Sequence, residues 1–556
     1  MAVETKLTRT TCPFCLYGCE LNINTVNRGD FLLRKIEYNP ASEINQGRLC
    51  ARGNLANIIL EHRNRLAYPL YNNQNNDWVV ALSQIKRQLK EYPPEQIAIT
   101  YDTNNTLEEI NEIFSFAQDL KINWLARSYL EPESFFNYCT GDIKYANLKD
   151  IEQTNGLLII GDIFNKSPVI AKLILDVKYA DRNHRLFYID SVKTKLAGFA
   201  NRFLWVKPGT EPLAMLGLIA SLGKNAKDIL GEKNYNLINK ELPTIAKLCG
   251  LAEGVFTEIA TTFASLPKGV IIVSMDYGKT DDPLLFSLLS QLLTMIFPND
   301  KKFLSLSLSS LPFGKTRFGE IFEQIKQRRI KTLINFGEFF PFYYPQLMPD
   351  LKNLDLFVTT ATFRQKLPIT GWILPMASIL EKSGTINTLW TKQPINPLAQ
   401  PVNGSKTTTE IINDIAFETE SKSKPKLNYK SNISLDELIN RALAFIEQKH
   451  QVNDLWQIIG EETAFGYRGI LEENDHQIVL NSFSAHNLQV RDGDVVKLIA
   501  NNAEAKFTVK IKDNIHNNVA LISVNNPINR VFFPFKIDNL TNDIIMPTSS
   551  GIINKV

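Results

Sequence analysis

The stretch TCPFCLYGCELNINTVNRGDFLLRKIEYNPASEINQGRLCARGN, residues 11–54, decides how the rest of the chain is read. It carries Cys12, Cys15, Cys19 and Cys50 in the spacing C-x2-C-x3-C-x30-C, four of the chain's six cysteines. Thiols gathered in one short segment point to a metal rather than to a disulfide framework. Between them, LNINTV and FLLRKIEY alternate like two strands around the turn NRGD, so a hairpin is expected to return Cys50 to the other three. Such spacing suits zinc or an iron–sulfur cluster. A structural zinc site usually shows two short C-x2-4-C pairs. A compact trio with one remote cysteine favours a [4Fe–4S] cubane, whose irons take sulfurs from several directions.

At 556 residues the chain exceeds a single core, and several domains are expected. A formal charge of +3 offers no electrostatic case for nucleic acid or an acidic membrane surface. No run is long and apolar enough for a bilayer span, and MAVETKLTRTT (1–11) is too polar for a signal peptide. The expectation is a cytoplasmic protein.

Outward from the cysteines the pattern turns to strand–helix alternation. NLANIILEHRNRLAYPL (54–70) reads as a helix stopped near Pro69. DWVVALSQIKRQLKEY follows with apolar positions 79, 82, 85 and 89 at helical spacing. QIAITY is a buried strand, and TLEEINEIFSFAQDL is a helix with Thr106 as N-cap and Glu109 three residues on. GLLIIGD (156–162), RLFYID (185–190) and GVIIVSMDYG (269–278) are further strands. Their exits, GDIFNKS, IDSVKTK and the turn PGTEP, lie where an open parallel sheet places its ligands. KTLINFGE and LDLFVTTA are later strands, and WILPMASILEKSGTIN (372–387) reads as a strand end, a helix and a glycine turn. Residues 418–433 are a polar Lys/Ser-rich linker. After the helix SLDELINRALAFIEQKH, the short strands HQIVLNS, DVVKLIA, AKFTVKIK and NVALISV suggest a small barrel.

The cysteine spacing followed by GRLCARG, a helix and RLAYPL resembles the molybdopterin oxidoreductase family, which includes formate dehydrogenase catalytic subunits and the large iron–sulfur subunit of NADH:quinone oxidoreductase. DWVVAL, GLLIIGDIFNKSPVIAKLI, the run FYIDSVKTKLAGF…KPGTEP, ILPMASILEKSGTINT and the C-terminal RDGDVVKLIANNAEAKFTVKI resemble further family elements, in order. The resemblance implies an α/β fold with an N-terminal [4Fe–4S] module (1–60) and a split Rossmann-like lobe (61–126 and 301–417). A second doubly wound lobe (127–300), the linker and a C-terminal β-barrel (434–556) complete it. It implies that Cys12, Cys15, Cys19 and Cys50 hold the cluster and that Arg52 is its electron relay. It also implies molybdenum or tungsten bound by bis-molybdopterin guanine dinucleotide. The matching positions are Gly161, Asp162, Asn165, Asp190, Lys193, Pro208, Gly209 and Thr210, with Glu381, Gly384 and Thr385.

Departures from the family concern the catalytic metal. Where formate dehydrogenases place Cys or selenocysteine followed by His, this chain reads Arg127-Ser128-Tyr129. Ser128 and Cys139 are the remaining candidate metal ligands, Cys139 lying late in register. The loop KTDDP after GVIIVSMDYG lacks the family's glycine and His, and GEFFPFYYP puts five aromatic residues between 339 and 344. Three readings follow. One is an electron-transfer subunit working through one cluster; another is a catalytic Mo/W oxidoreductase of formate dehydrogenase type. A third is a non-redox subunit retaining the fold. Without flavin or nicotinamide motifs, partner redox subunits carrying flavin or iron–sulfur groups are expected.

Overall fold

The computed structural model describes the chain apart from residues 1–3, 28–31, 129–131, 307–310, 339, 341, 343, 403, 417–426, 451–454 and 463–475, and the side chains of 132–134. Residues 28–30 of the turn NRGD and most of the expected linker thus lie outside the described residues. The chain divides into two compact units. The first comprises residues 1–130, 310–429 and 537–544, and the second residues 131–309, 430–536 and 545–556.

The first unit begins with the cysteine module. Its strands Glu4–Thr11, Glu20–Asn27 and Leu32–Glu37 form an antiparallel sheet, so the hairpin read from LNINTV and FLLRKIEY is present, with an extra strand before it. The lobe that follows is a seven-stranded sheet. Five strands run parallel in the order Trp372–Pro375, Leu356–Ala361, Thr332–Phe336, Ile97–Tyr101, Trp124–Arg127, and Leu70–Tyr71 and Gln74–Asn75 add an antiparallel edge. Parallel strands need both faces covered. Helices Trp78–Glu91 and Leu107–Asp119 supply cover through Ala81, Ile85, Ile110, Ile113 and Phe114, packed with Ile99 and Val358. Thr106 caps the second helix reciprocally with Glu109, the expected capping box.

The helix read over 54–70 ends at Leu60, because Leu66 pairs its N–H with the Thr362 carbonyl and Arg65 bridges to Phe363. The helix Trp78–Glu91 buries Ala81, Ile85 and Leu89, whereas Val79 is 78% exposed. Between Trp372 and Asn387 there is no α-helix; Ile379–Glu381 makes one 3-10 turn, capped by Ser378. Of the aromatic run, Phe340 and Tyr344 are buried, and Phe340 meets Phe318 and Phe357 edge-on at 4.9 and 6.1 Å.

The second unit holds a five-stranded parallel sheet, ordered Arg202–Trp205, Arg185–Asp190, Gly156–Ile160, Lys268–Val273, Asp300–Ser305. The order reverses between Gly156–Ile160 and Lys268–Val273, which makes the carboxyl ends of those strands its topological switch point. Helices between Glu211 and Ser265, several of them unforeseen, connect the two halves of this sheet. A closed barrel completes the unit, with strands in the order Trp456–Glu461, Val519–Ser523, Gln477–Leu480, Ala503–Ile511, Val495–Ala500, Ser549–Lys555. Its first and last strands were not anticipated. Among the described residues no helix is long and apolar enough to cross a membrane.

Candidate functional site

Cys12, Cys15 and Cys19 lie on the loop between the first two strands of the module. Its ends are tied by the Cys12 N–H donating to the Cys19 carbonyl at 2.7 Å. Gly18 turns the loop with φ +67°, and a Cβ there would stand 2.5 Å from Thr388 Cγ2. Cys50 is the N-cap of the short helix Ala51–Asn54, and Asn54 holds the Leu49 and Cys50 carbonyls through its side-chain amide, each at 3.1 Å. Asn45 fastens the return segment. It donates to the Glu20 and Arg48 carbonyls at 3.2 and 2.7 Å, and accepts from the Glu20 N–H at 3.1 Å and the Ser42 hydroxyl at 2.7 Å.

A support absent from the sequence reading is the hairpin Gly384–Asn387 with Lys392–Ile395. Leu389 donates its N–H to the Leu16 carbonyl at 2.7 Å, Thr11 donates to the Pro394 carbonyl at 2.8 Å, and Trp390 meets Tyr17 edge-on at 5.5 Å. The GTINT motif was legible, but its role as a clamp on a loop some 370 residues away leaves no local signal. We predict that Gly18→Ala costs about 1–3 kcal/mol through the left-handed backbone and the Thr388 clash. A lower melting temperature and fewer irons per chain should show it. Adding Thr388→Ala should recover the clash but not the backbone strain.

All six cysteines are free thiols; Cys12 and Cys19 are buried, and Cys15 and Cys50 are partly exposed. Burial, and then the neighbouring Cys15, push the Cys12 thiol far above its ordinary value; burial and Cys12 do the same to Cys19. Four thiols that feel one another's charge form one set, suited to a cation that takes them as thiolates. Among the described residues no group of three His, Cys, Asp or Glu is arranged around a single ion. The compact trio Cys12, Cys15 and Cys19 with the remote Cys50 suits a polynuclear cluster. Arg52 belongs to the same set: burial pulls its guanidinium down, but Cys15, Cys50 and Cys12 more than offset this and leave it raised.

In the same unit, Ser128 is sealed at the strand ends. Its hydroxyl donates to Asn335 Oδ1 at 2.9 Å, beside Thr100, which donates to the same oxygen at 2.8 Å. Glu381 lies in a buried bidentate pair with Arg65, and the Thr385 N–H and hydroxyl each donate to Glu108 at 2.8 Å, where a Cβ on Gly384 would meet the Glu108 carboxylate.

In the second unit, Gly161, Asp162 and Asn165 leave the strand Gly156–Ile160, and Asp190 ends the strand Arg185–Asp190. Lys193 follows, its N–H on the Asn514 carbonyl at 2.8 Å. Pro208, Gly209 and Thr210 turn into the helix Glu211–Ala220. Asp162 and Asp190 come together around Lys279, a buried lysine not anticipated from the sequence, whose ammonium contacts Asp190 Oδ1 at 2.9 Å. Cys139 is buried in this unit, its sulfur 4.0 Å from the Tyr145 hydroxyl, and burial raises its thiol.

Burial pushes the Glu211 carboxyl up to about 7 and the Asp276 carboxyl up to about 8. Unfolded, both would ionise near their ordinary values of 4.5 and 3.8. The folded unit therefore keeps protons that the unfolded chain loses. The stability this contributes is complete below the unfolded values and is lost as pH rises from there, in full once pH has passed about 7 for Glu211 and about 8 for Asp276. We predict that Glu211→Gln flattens the fall in melting temperature over the first of these steps.

The comparisons with known proteins agree with this layout. Residues 5–60 match the Molybdopterin oxidoreductase Fe4S4 domain. The alpha subunit of the F420-dependent formate dehydrogenase of Methanocaldococcus jannaschii is 29% identical over 294 residues, 49% of this chain and 43% of that protein. The nitrate reductase of Klebsiella oxytoca is 24% identical over 293 residues, 49% of this chain and 33% of that protein. The aligned region thus spans less than half the length of either relative. Acetylene hydratase from Pelobacter acetylenicus shares the fold with a TM-score of 0.76 over 99% of this chain and 100% of that one, at 14% identity. These likenesses support a [4Fe–4S] cluster, with a molybdenum or tungsten pterin as the further cofactor such proteins can carry. By its N-terminal domain, its homologues and its fold, the chain is a relative of the molybdopterin oxidoreductases and carries their Fe4S4 domain.

Proposed function

We propose that this chain is an electron-transfer subunit of a larger redox complex, working through one [4Fe–4S] cluster held by Cys12, Cys15, Cys19 and Cys50. The observation that carries the reading is a contrast. The four thiols and Arg52 form one electrostatically coupled set, three of the thiols lying on a clamped loop. At the place of a deeper metal ligand, the Ser128 hydroxyl is buried and already committed to Asn335. Cys139, the other candidate, is buried with its sulfur 4.0 Å from the Tyr145 hydroxyl, and the charge it feels is that of Lys430 rather than of a neighbouring thiol.

A bound cluster supplies a one-electron couple, and the chain's residues set its surroundings. The loop encloses the sulfurs on the Cys12 and Cys19 side, and Arg52 places a positive charge beside them. Partner subunits carrying flavin or iron–sulfur groups would deliver and remove the electron. Two of the relatives are themselves named as alpha subunits of formate dehydrogenases, in keeping with such an assembly.

A cation beside the cluster favours its more negative, reduced form. Arg52→Gln should therefore move the midpoint potential to more negative values, on the order of tens of millivolts. A potentiometric titration followed by electron paramagnetic resonance reads this directly. The same titration tests the function: a single one-electron cluster signal is expected. A second signal from molybdenum or tungsten cycling with it would favour the catalytic formate dehydrogenase-type reading, with Ser128 or Cys139 as its ligand.

A further inference from the structure

The second unit has the sheet order and switch point at which doubly wound folds take dinucleotides. Three features of such a site can be compared with the residues present. The first is a set of free N–H groups after the first strand, to receive a pyrophosphate. Here the Phe164 and Asn165 N–H groups both donate to Asp162 Oδ1, at 3.0 and 3.2 Å, and Asp162 Oδ2 accepts from the Asn165 amide at 2.8 Å. The helix they begin is four residues long. The second is room between the strand exits. Gly161 lies so close to the opposite exit that a Cβ on it would stand 2.0 Å from the Ser274 carbonyl oxygen.

The third is an acid at the end of the second strand, free to accept ribose hydroxyls. Asp190 holds that position, and its acceptors are taken. Oδ1 receives the Val192 N–H at 2.9 Å and the Lys279 ammonium at 2.9 Å; Oδ2 receives the Tyr188 hydroxyl at 2.6 Å and Lys279 again at 3.1 Å. Around Lys279 stand Asp162, Asp190 and Asp276, with Glu211 and Glu461 also feeling its charge. Among the described residues, the polar groups left over are the Glu211 carboxyl and the hydroxyls of Ser191, Ser274 and Thr280, all buried, with Ser191 facing Glu211. That set is neutral or acidic. The Glu211 carboxylate, when ionised, repels phosphate, whereas the hydroxyls donate as well as accept.

We propose that the strand-end crevice of the second unit is closed to phosphate-bearing dinucleotides, with the Lys279 ammonium, paired with Asp190 and in the field of Asp162 and Asp276, as a resident cation. The residues here do not fit a pyranopterin dinucleotide with its pyrophosphate at the switch point. The inference deepens the electron-transfer reading and rests on it only for its biological sense.

Hydrogen–deuterium exchange on the full-length, cluster-loaded protein tests it, with inorganic pyrophosphate and GDP as probes. No saturable protection of segments 160–166 and 274–282 is expected from either probe. Protection of those segments by either would overturn the proposal. Lys279→Met gives a second arm. Burial raises Asp162 and Asp276 and Lys279 offsets it, with Lys166 and Glu462 also facing Asp276, so without the ammonium the variant's loss of melting temperature should be larger near about pH 8 than near about pH 5. An equal loss at both would mean that Lys279 merely packs. Iron content of the same samples separates the two ideas. Absent iron defeats the cluster reading and leaves the closed crevice standing; protection with full iron does the reverse.

Discussion

Cys15→Ser is expected to abolish the broad visible absorbance of the cluster and to lower iron per chain several-fold, the largest single effect foreseen. The module of residues 5–60 is too small to rest on its own core. Among the described residues its buried hydrophobic side chains are Cys12, Phe14, Tyr17, Cys19, Leu21, Ile23, Ala56, Ile59 and Leu60, so four of the nine lie on the cysteine loop. A structural metal in a module of this size contributes on the order of 10 kcal/mol to folding. An alkoxide is a poor substitute for a thiolate on iron. The loop should open, and because the Gly384–Asn387 hairpin packs on it, the damage should reach that hairpin as well. Limited proteolysis within the first 60 residues should become fast. Retention of full iron in the variant would contradict the ligand assignment.

Glu381→Ala ranks second, with an expected loss of about 3–5 kcal/mol. Glu381 fits the family's pattern as a cofactor-binding residue. In the structure its oxygens face Arg65 Nη1 at 2.9 Å and Nη2 at 2.5 Å, with side-chain exposures of 5% for Arg65 and 1% for Glu381. Glu381 Oε2 also accepts the Ser378 N–H at 2.8 Å, closing the 3-10 turn. Removing the carboxylate leaves a buried guanidinium without its counter-charge and an N–H without its acceptor. Denaturant melts of the purified protein, with no added cofactor, should show the full loss. Replacing both partners by apolar residues, Arg65→Met with Glu381→Leu, should recover much of it, since an apolar pair of similar volume is often neutral. A Glu381→Ala protein as stable as the wild type would return Glu381 to the list of ligand-binding candidates.

How far the sequence carried can be judged at these same residues. The cysteine spacing, the Thr106–Glu109 cap and the period-2 strands were legible because each is a local pattern with a local cause. The break after Leu60 was not, since the segment is helical by composition and is pulled straight by partners near residues 362 and 381. Trp78–Glu91 was recognised as a helix, yet its buried stripe is set by the sheet beneath it and leaves Val79 outside. In the barrel, Ser549–Lys555 contains Gly551 and several polar residues; it is a strand because it closes the gap between Val495–Ala500 and Trp456–Glu461. Lys279 was visible only as part of KTDDP. Nothing in a surface-like run of charges foretells a buried ammonium among three aspartates.

The most direct measurement is metal analysis of the anaerobically purified, full-length protein, joined to electron paramagnetic resonance of the reduced sample. About four irons per chain, a single reduced-cluster signal and no molybdenum or tungsten are expected. Stoichiometric molybdenum or tungsten, or a chain devoid of iron, would contradict a function centred on Cys12, Cys15, Cys19 and Cys50.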